Sequence, residues 1–276
     1  MVFVGVMKVV LFMVMLKYIV FVVAFVFISQ ATANESGLKL AHQVYNRPDG
    51  SDMSLRITMS LVEKGKQARV RQLYFYRSKE RDVVRSLIRF TMPADVNGIG
   101  MLTTDEIGVK TKQWLYLPEL DKVRRVSTSR KGGRFVGSDL FYEDLRDRPV
   151  EKDHHKLIGK GDVNGIRCQV IESIPVEQKN SVYTKRVSWV DADTLLPLRV
   201  DYYKKAVEPI KRLVVHKFEK IQGYWTVLDS TMTDLKSHHQ TRLVVELVKY
   251  NRLLPDKLLS KRALPDIVLE ESYRLR

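Results

Sequence analysis

Beyond residue 50 the chain alternates. Leu55, Ile57, Met59 and Leu61 are separated by polar residues, and a period of two is that of a strand with one buried face. Lys64-Gly65-Lys66 supplies a turn, and Val70 to Tyr76 runs back with Tyr74 and Tyr76 on one side and Leu73 and Phe75 on the other. That pattern predicts a hairpin. Val84 to Met92 predicts a further strand closed by Pro93, and Met101-Leu102 and Gln113 to Leu117 follow, the last stopped by Pro118. Leu157-Ile158 and Ile166 to Ile174 flank Asn164-Gly165, a pair that tolerates positive φ and suits a tight turn. Five more strand-like runs follow: Arg186 to Val190, Leu198 to Tyr203, Arg212 to Phe218, Trp225 to Met232 and Arg242 to Tyr250. Runs at this spacing predict about ten or eleven strands in antiparallel meanders. A sheet of that size curls or closes because it twists, and its apolar faces then enclose an apolar interior.

Two segments break the alternation. Leu38, Ala41 and Tyr45 share a helical face, with Asn34 or Ser36 as candidate caps. In the middle, Gly132-Gly133 leads into Phe135-Val136-Gly137-Ser138-Asp139-Leu140-Phe141-Tyr142-Glu143-Asp144-Leu145. Glycine makes this stretch pliable. Ser138 or Asp139 is placed to cap a short helix through Leu145. Both segments are candidate covers for the interior.

The first 33 residues have a different composition. Lys8 and Lys17 precede an unbroken apolar run from Tyr18 to Ile28, and Ala31-Thr32-Ala33 follows. These are the parts of a secretory signal, with cleavage expected after Ala33. A retained membrane anchor is the competing reading, and Met15 is an alternative start. The expected organisation is a signal peptide over 1–33 and one domain over 34–276, placed in the periplasm.

Composition narrows the function. The chain of 276 residues carries a formal charge of +15, which falls to +13 without Lys8 and Lys17. Such an excess suits an anionic membrane surface or an acidic partner, at roughly 1 kcal/mol per basic residue close to the surface. Arg124, Arg125, Arg130, Lys131 and Arg134 form the densest candidate patch for a head group or partner. No nucleic-acid motif accompanies the charge. Cys168 is the only cysteine, which excludes an intramolecular disulfide or a multi-cysteine metal site; its neighbours place it as a buried thiol.

Catalytic signatures are missing. Gly137-Ser138-Asp139 lacks the second glycine of a nucleophile elbow, and the chain has neither H-E-x-x-H nor a P-loop. His154-His155 and His238-His239 sit in polar, turn-like sequence and are expected to be exposed loop residues. Asp191 and Asp193 flank Ala192 on a turn, where carboxylates accept backbone N–H bonds. The expectation is a non-catalytic protein with no cofactor and no metal.

An ordered series of motifs carries a resemblance. It begins with Phe90-Thr91-Met92-Pro93-Ala94-Asp95-Val96-Asn97-Gly98-Ile99-Gly100 and Gln113-Trp114-Leu115-Tyr116-Leu117-Pro118. Val123-Arg124-Arg125-Val126, Phe135-Val136-Gly137-Ser138-Asp139 and Tyr142-Glu143-Asp144-Leu145 come next. Trp189-Val190-Asp191, Leu196-Pro197-Leu198-Arg199, Tyr202-Tyr203, Gly223-Tyr224-Trp225, Thr231-Met232-Thr233, Thr241 and Arg262 complete it. In this series the chain resembles the longer-chain branch of the LolA-like outer-membrane lipoprotein-sorting family. The resemblance implies a mainly β fold with a few helices, an incomplete antiparallel β-barrel whose apolar cavity is covered by short helices or a loop. It also implies that acyl chains of lipids or lipoproteins are the ligand class, and it adds an inner-membrane transporter as a candidate partner. Trp114, Tyr116, Phe135, Phe141, Tyr142, Trp189, Tyr202 and Trp225 are the candidate cavity and cover residues. Two readings compete with the carrier: an accessory module that docks on a transporter without lipid, and a secreted lipid hydrolase.

Overall fold

The computed structural model describes residues 33–276. Apart from Ala33, the expected signal segment lies outside the described residues. Helix α1 covers residues 33–45. Six strands follow: β1 (Asp52–Val62), β2 (Arg69–Glu80), β3 (Val83–Met92), β4 (Gly100–Glu106), β5 (Lys112–Leu117) and β6 (Lys122–Arg125). Seven more form the second run: β7 (Asp153–Val163), β8 (Ile166–Pro175), β9 (Lys185–Asp191), β10 (Pro197–Tyr203), β11 (Lys211–Ile221), β12 (Tyr224–Asp234) and β13 (Gln240–Tyr250). A short helix, α2 (Ile267–Glu271), lies near the end.

All thirteen strands join one open antiparallel sheet, in the order β6-β5-β4-β3-β2-β1-β13-β12-β11-β10-β9-β8-β7. Two meanders thus meet where β1 pairs with β13. The alternation locates most of these strands. It misses β6, whose Lys-Val-Arg-Arg sequence has no apolar face. Positive φ at both Asn164 and Gly165 closes the β7–β8 turn as expected, and Gln222-Gly223 makes the same turn between β11 and β12. Register shifts in the β1–β13, β2–β3, β7–β8 and β11–β12 pairings add local bends that help the sheet curl.

The outer face of β2–β5 is sealed by the C-terminal segment. Tyr76, Leu87, Leu102 and Tyr116 pack there against Leu258, Leu259 and Leu264. Asp52 ties down the start of this segment by accepting the N–H groups of Arg252 at 2.8 Å and Leu253 at 2.9 Å. Arg89 is fully buried beneath it and donates to the carbonyls of Gly98 and Leu264. Gly100 makes room for that guanidinium, since a Cβ there would fall 2.6 Å from Arg89 Nη1.

Edges β6 and β7 are joined by residues 126–152, which cross the concave side from one edge to the other. Phe135 and Leu140 of this crossover pack on Ile57, Met59, Leu73, Phe90, Met101 and Met232. One end of the concavity is therefore solid.

Candidate functional site

The other end is hollow. Where β1 begins and β2 and β13 finish, a cavity of about 670 Å³ opens between the sheet, α1 and residues 144–150. Met53, Leu55, Phe75, Val84, Ile88 and Val200 are among its apolar walls, and Ala41, Val44 and Tyr45 of α1 face it. The volume falls in the ~300–1,000 Å³ range of small-molecule sites. Leu40 secures α1 by packing on Ile171 and Val190. Gly37 lets the helix approach β7 closely, because a Cβ there would lie 2.6 Å from Lys156 Cα and Leu157 N.

Charged groups surround one side of the hollow. Arg77 bridges Asp49 at 2.8 Å and Asp147 at 3.3 Å, linking the exit from α1 to the crossover. Arg148 donates twice to Asp153 at 2.8 Å, and Arg186 donates to the same carboxylate. Burial pushes the Asp153 carboxyl up, but the Arg148 hydrogen bonds and the Arg186 charge outweigh it and hold it below the usual range. Asp105 accepts the Thr111 hydroxyl at 2.6 Å and the Asp147 N–H at 2.7 Å; burial raises its pKa. Tyr45 is pushed up to about 12 by burial and by the charges of Asp147 and Asp105. His155 also lines the hollow, with Nε2 2.9 Å from the Val150 carbonyl and Nδ1 2.9 Å from Ser173 Oγ. The neutral ring satisfies both contacts, and burial lowers its pKa.

The crossover is held by buried carboxylates. Asp144 accepts Lys211 Nζ at 2.6 Å, the Tyr183 hydroxyl at 2.8 Å and the Phe141 N–H at 2.7 Å. Asp139 accepts from His239 Nδ1 at 2.6 Å and from Thr241 at 2.8 Å. Glu143 takes the Ser181 hydroxyl and the Val182 N–H. These bonds correct two expectations. Ser138 and Asp139 do not cap a helix: residues Tyr142–Leu145 form one 3₁₀ turn, whose leading N–H is capped by Asp144. His239 is buried on Asp139 and His155 is half-buried, so these two are not exposed loop histidines. Asp191 does accept a backbone N–H on its turn, from Asp193 at 3.3 Å, together with the Thr194 hydroxyl at 2.6 Å. Cys168 is buried, with its thiol pushed up to about 11 by desolvation and nearby carboxylates.

The candidate aromatics separate into groups. Tyr202 and Trp225 line the hollow. Phe135 lies between Phe90 and Tyr142, at centroid distances of 5.6 and 5.9 Å, in the solid end. Phe141 stacks on Tyr183 and lies 3.6 Å from Lys211 Nζ. Trp114 and Tyr116 pack in the outer cluster beneath the C-terminal segment. Trp189 carries the Arg199 guanidinium over its ring at 4.1 Å. The basic patch is also divided. Arg124 and Arg125 are exposed on edge strand β6, and Arg130 is exposed beyond it. Lys131 donates to the Lys179 carbonyl, and Arg134 pairs with Asp234 at 2.7 Å. Among the described residues no cluster of three His, Cys, Asp or Glu is placed to hold a metal.

Sequence reasoning missed the charged rim: Arg47, Arg77, Asp105, Arg146, Asp153 and Arg186. A signal was present, because Arg77 continues the inward phase of Leu73 and Phe75, and Arg186 shares the phase of Val190.

An open, curled antiparallel sheet with an edge-to-edge crossover and an internal hollow defines a LolA-like fold. The comparisons with known proteins agree. The chain is 29% identical to an outer membrane lipoprotein-sorting protein domain from Vibrio parahaemolyticus, with 84% of this chain and 99% of that one aligned at a TM-score of 0.80. A DUF1329 family protein from Desulfovibrio piger is 33% identical over the same shares, at a TM-score of 0.79. A LolA superfamily protein from Nitrosomonas europaea, 19% identical over 84% of this chain and 99% of that one, shares the fold at a TM-score of 0.65. A family model described as "Uncharacterized protein"-like matches residues 82–266. No curated protein matches. The chain belongs to the DUF1329 family and has a LolA-like fold.

Proposed function

We propose that this protein is a non-catalytic periplasmic carrier that holds acyl chains of lipids or lipoproteins in the hollow and moves them between membranes or to a membrane transporter. The observation that carries the reading is the apolar hollow of about 670 Å³ beneath α1. Each CH₂ moved from a bilayer into water costs about 0.8 kcal/mol. A chain of ~16 carbons therefore faces a barrier of roughly 12 kcal/mol. An interior with apolar walls lowers that barrier without acid, base or metal. Further support comes from the relative described by lipoprotein sorting and from the leader-like composition of residues 1–33. Among the described residues no helix is long and apolar enough to cross a membrane. Exposed Arg124, Arg125 and Arg130 suit an anionic bilayer surface.

The test is uptake of a fluorescent acyl probe by the purified protein, with native mass spectrometry for co-purified lipid. A saturable, water-shielded probe that is lost when Val200→Trp fills the hollow is the expected result. No uptake at saturating probe, with no lipid retained, would leave the accessory-module reading in its place.

A further inference from the structure

Most charges on the rim of the hollow are answered. Arg77 has Asp49 and Asp147, Arg148 and Arg186 share Asp153, and Asp144 holds Lys211. Arg47 and Arg146 are the exceptions. Among the described residues neither has a carboxylate within ion-pair distance. Arg47 makes one hydrogen bond, from Nη1 to the Val44 carbonyl at 3.1 Å, and its Nε is buried with no acceptor. Arg146 directs Nε and Nη2 at the Thr111 hydroxyl oxygen, at 3.0 and 2.8 Å, rather than at an acid. Asp105, the nearby carboxylate, is already taken up by Thr111 and the Asp147 N–H. Both arginines line the hollow. Each guanidinium brings five donors and no acceptor, and a buried donor without a partner is costly. A ligand that fills the hollow completes the site best if it supplies oxygen acceptors with negative charge.

We infer that Arg47 and Arg146 form the head-group end of the hollow, and that the ligand is an amphiphile carrying an oxyanion, a carboxylate or a phosphate, on its acyl chain. This rests on the acyl-binding reading above and narrows it. The oxyanion lies against the two guanidiniums, and the hydrocarbon runs over Leu55, Phe75, Ile88 and Val200. The rim then selects by head group and the walls by apolar length.

Calorimetry on the purified protein separates the two readings, using dodecanoate, dodecyl phosphate, 1-dodecanol and inorganic phosphate as probes. The expected result is binding of at least one anionic amphiphile about tenfold or more tighter than 1-dodecanol. In the Arg47→Gln/Arg146→Gln double variant that preference shrinks to about threefold or less, with 1-dodecanol unaffected. The tighter of the two anions identifies the head. Equal binding of 1-dodecanol and both anions in the wild type overturns the head-group site and leaves the acyl-binding reading standing. Failure of all three amphiphiles overturns both. Binding of inorganic phosphate alone, lost in the double variant and not improved by an alkyl chain, assigns the arginines to a free anion and overturns the lipid head group. The wild-type selectivity can overturn the site even if the double variant does not fold, and retention of the anion preference in a folded double variant also overturns it.

Discussion

The two ends of the concave face share strands β1–β4, β10, β12 and β13 but are closed by different means. At the solid end the crossover places Phe135 and Leu140 into the sheet, and Asp139, Glu143 and Asp144 bind it with buried hydrogen bonds. At the hollow end α1 rests on Leu40 and on the close approach at Gly37, with Arg77–Asp49 at its exit. Directional bonds to buried charges fix a segment in one place, because leaving one unmade exposes an unpaired charge to a dry interior. Apolar contact tolerates sliding. The sequence reading made both segments equal candidates for a cover. The structure makes the crossover a fixed bridge and leaves α1 as the element that local opening would release.

The largest effect that tests this contrast is Asp144→Ala. It strands Lys211 Nζ beneath Phe141, Tyr183 and Tyr202, a buried cation without its partner. A loss of about 3–5 kcal/mol is expected in urea unfolding; a loss below about 1 kcal/mol would show that the crossover is not held this way. Next comes Leu40→Ala, expected to cost about 2 kcal/mol. Its more telling readout is hydrogen exchange, with faster exchange over 33–45 and unchanged exchange over 135–146. Equal acceleration in both segments would break the distinction. Gly37→Ala is expected to cost about 1–2 kcal/mol, because its methyl group meets the backbone of Lys156 and Leu157. Rapid acyl-probe entry in this variant, relative to wild type, would mark α1 as the gate. The smallest effect belongs to His155. Its folded pKa lies below the ordinary value of 6.5. The unfolded chain therefore takes up the proton first, and this contribution to stability is lost as pH falls through 6.5 toward the folded value. Wild type is expected to lose up to about 1 kcal/mol more than His155→Gln between about pH 7.5 and about pH 5.5 in urea titrations. Identical slopes would place His155 outside the packed rim.

Most of the fold is legible because alternation is a local signal. Leu73 and Phe75 face the interior and Tyr74 and Tyr76 the outer cluster, as their phase requires. Strand β6 escaped because an edge strand of four residues needs no apolar face, and its lysine and arginines discourage pairing with another chain. The hollow end was less legible. Trp114 and Trp189 carry large rings, but ring size says nothing about which face of the sheet a residue occupies. Arg77 and Asp105 were the better clue, since a charge set in phase with apolar neighbours has to meet either a partner or a cavity. Asp139 was legible only as a helix cap and Asp144 had no assigned role, because their partners, Thr241 and Lys211, lie 102 and 67 positions away.

The pairing of β1 with β13 carries a consequence for synthesis. Met53 meets Tyr250 only after nearly the whole chain has emerged. Until then the first meander waits with a bare backbone edge in the middle of the future sheet. Contacts of such sequence separation form slowly, and unpaired edges recruit other strands. The waiting half-sheet is thus the stage at which a chaperone, or an unwanted neighbour, finds this protein most accessible.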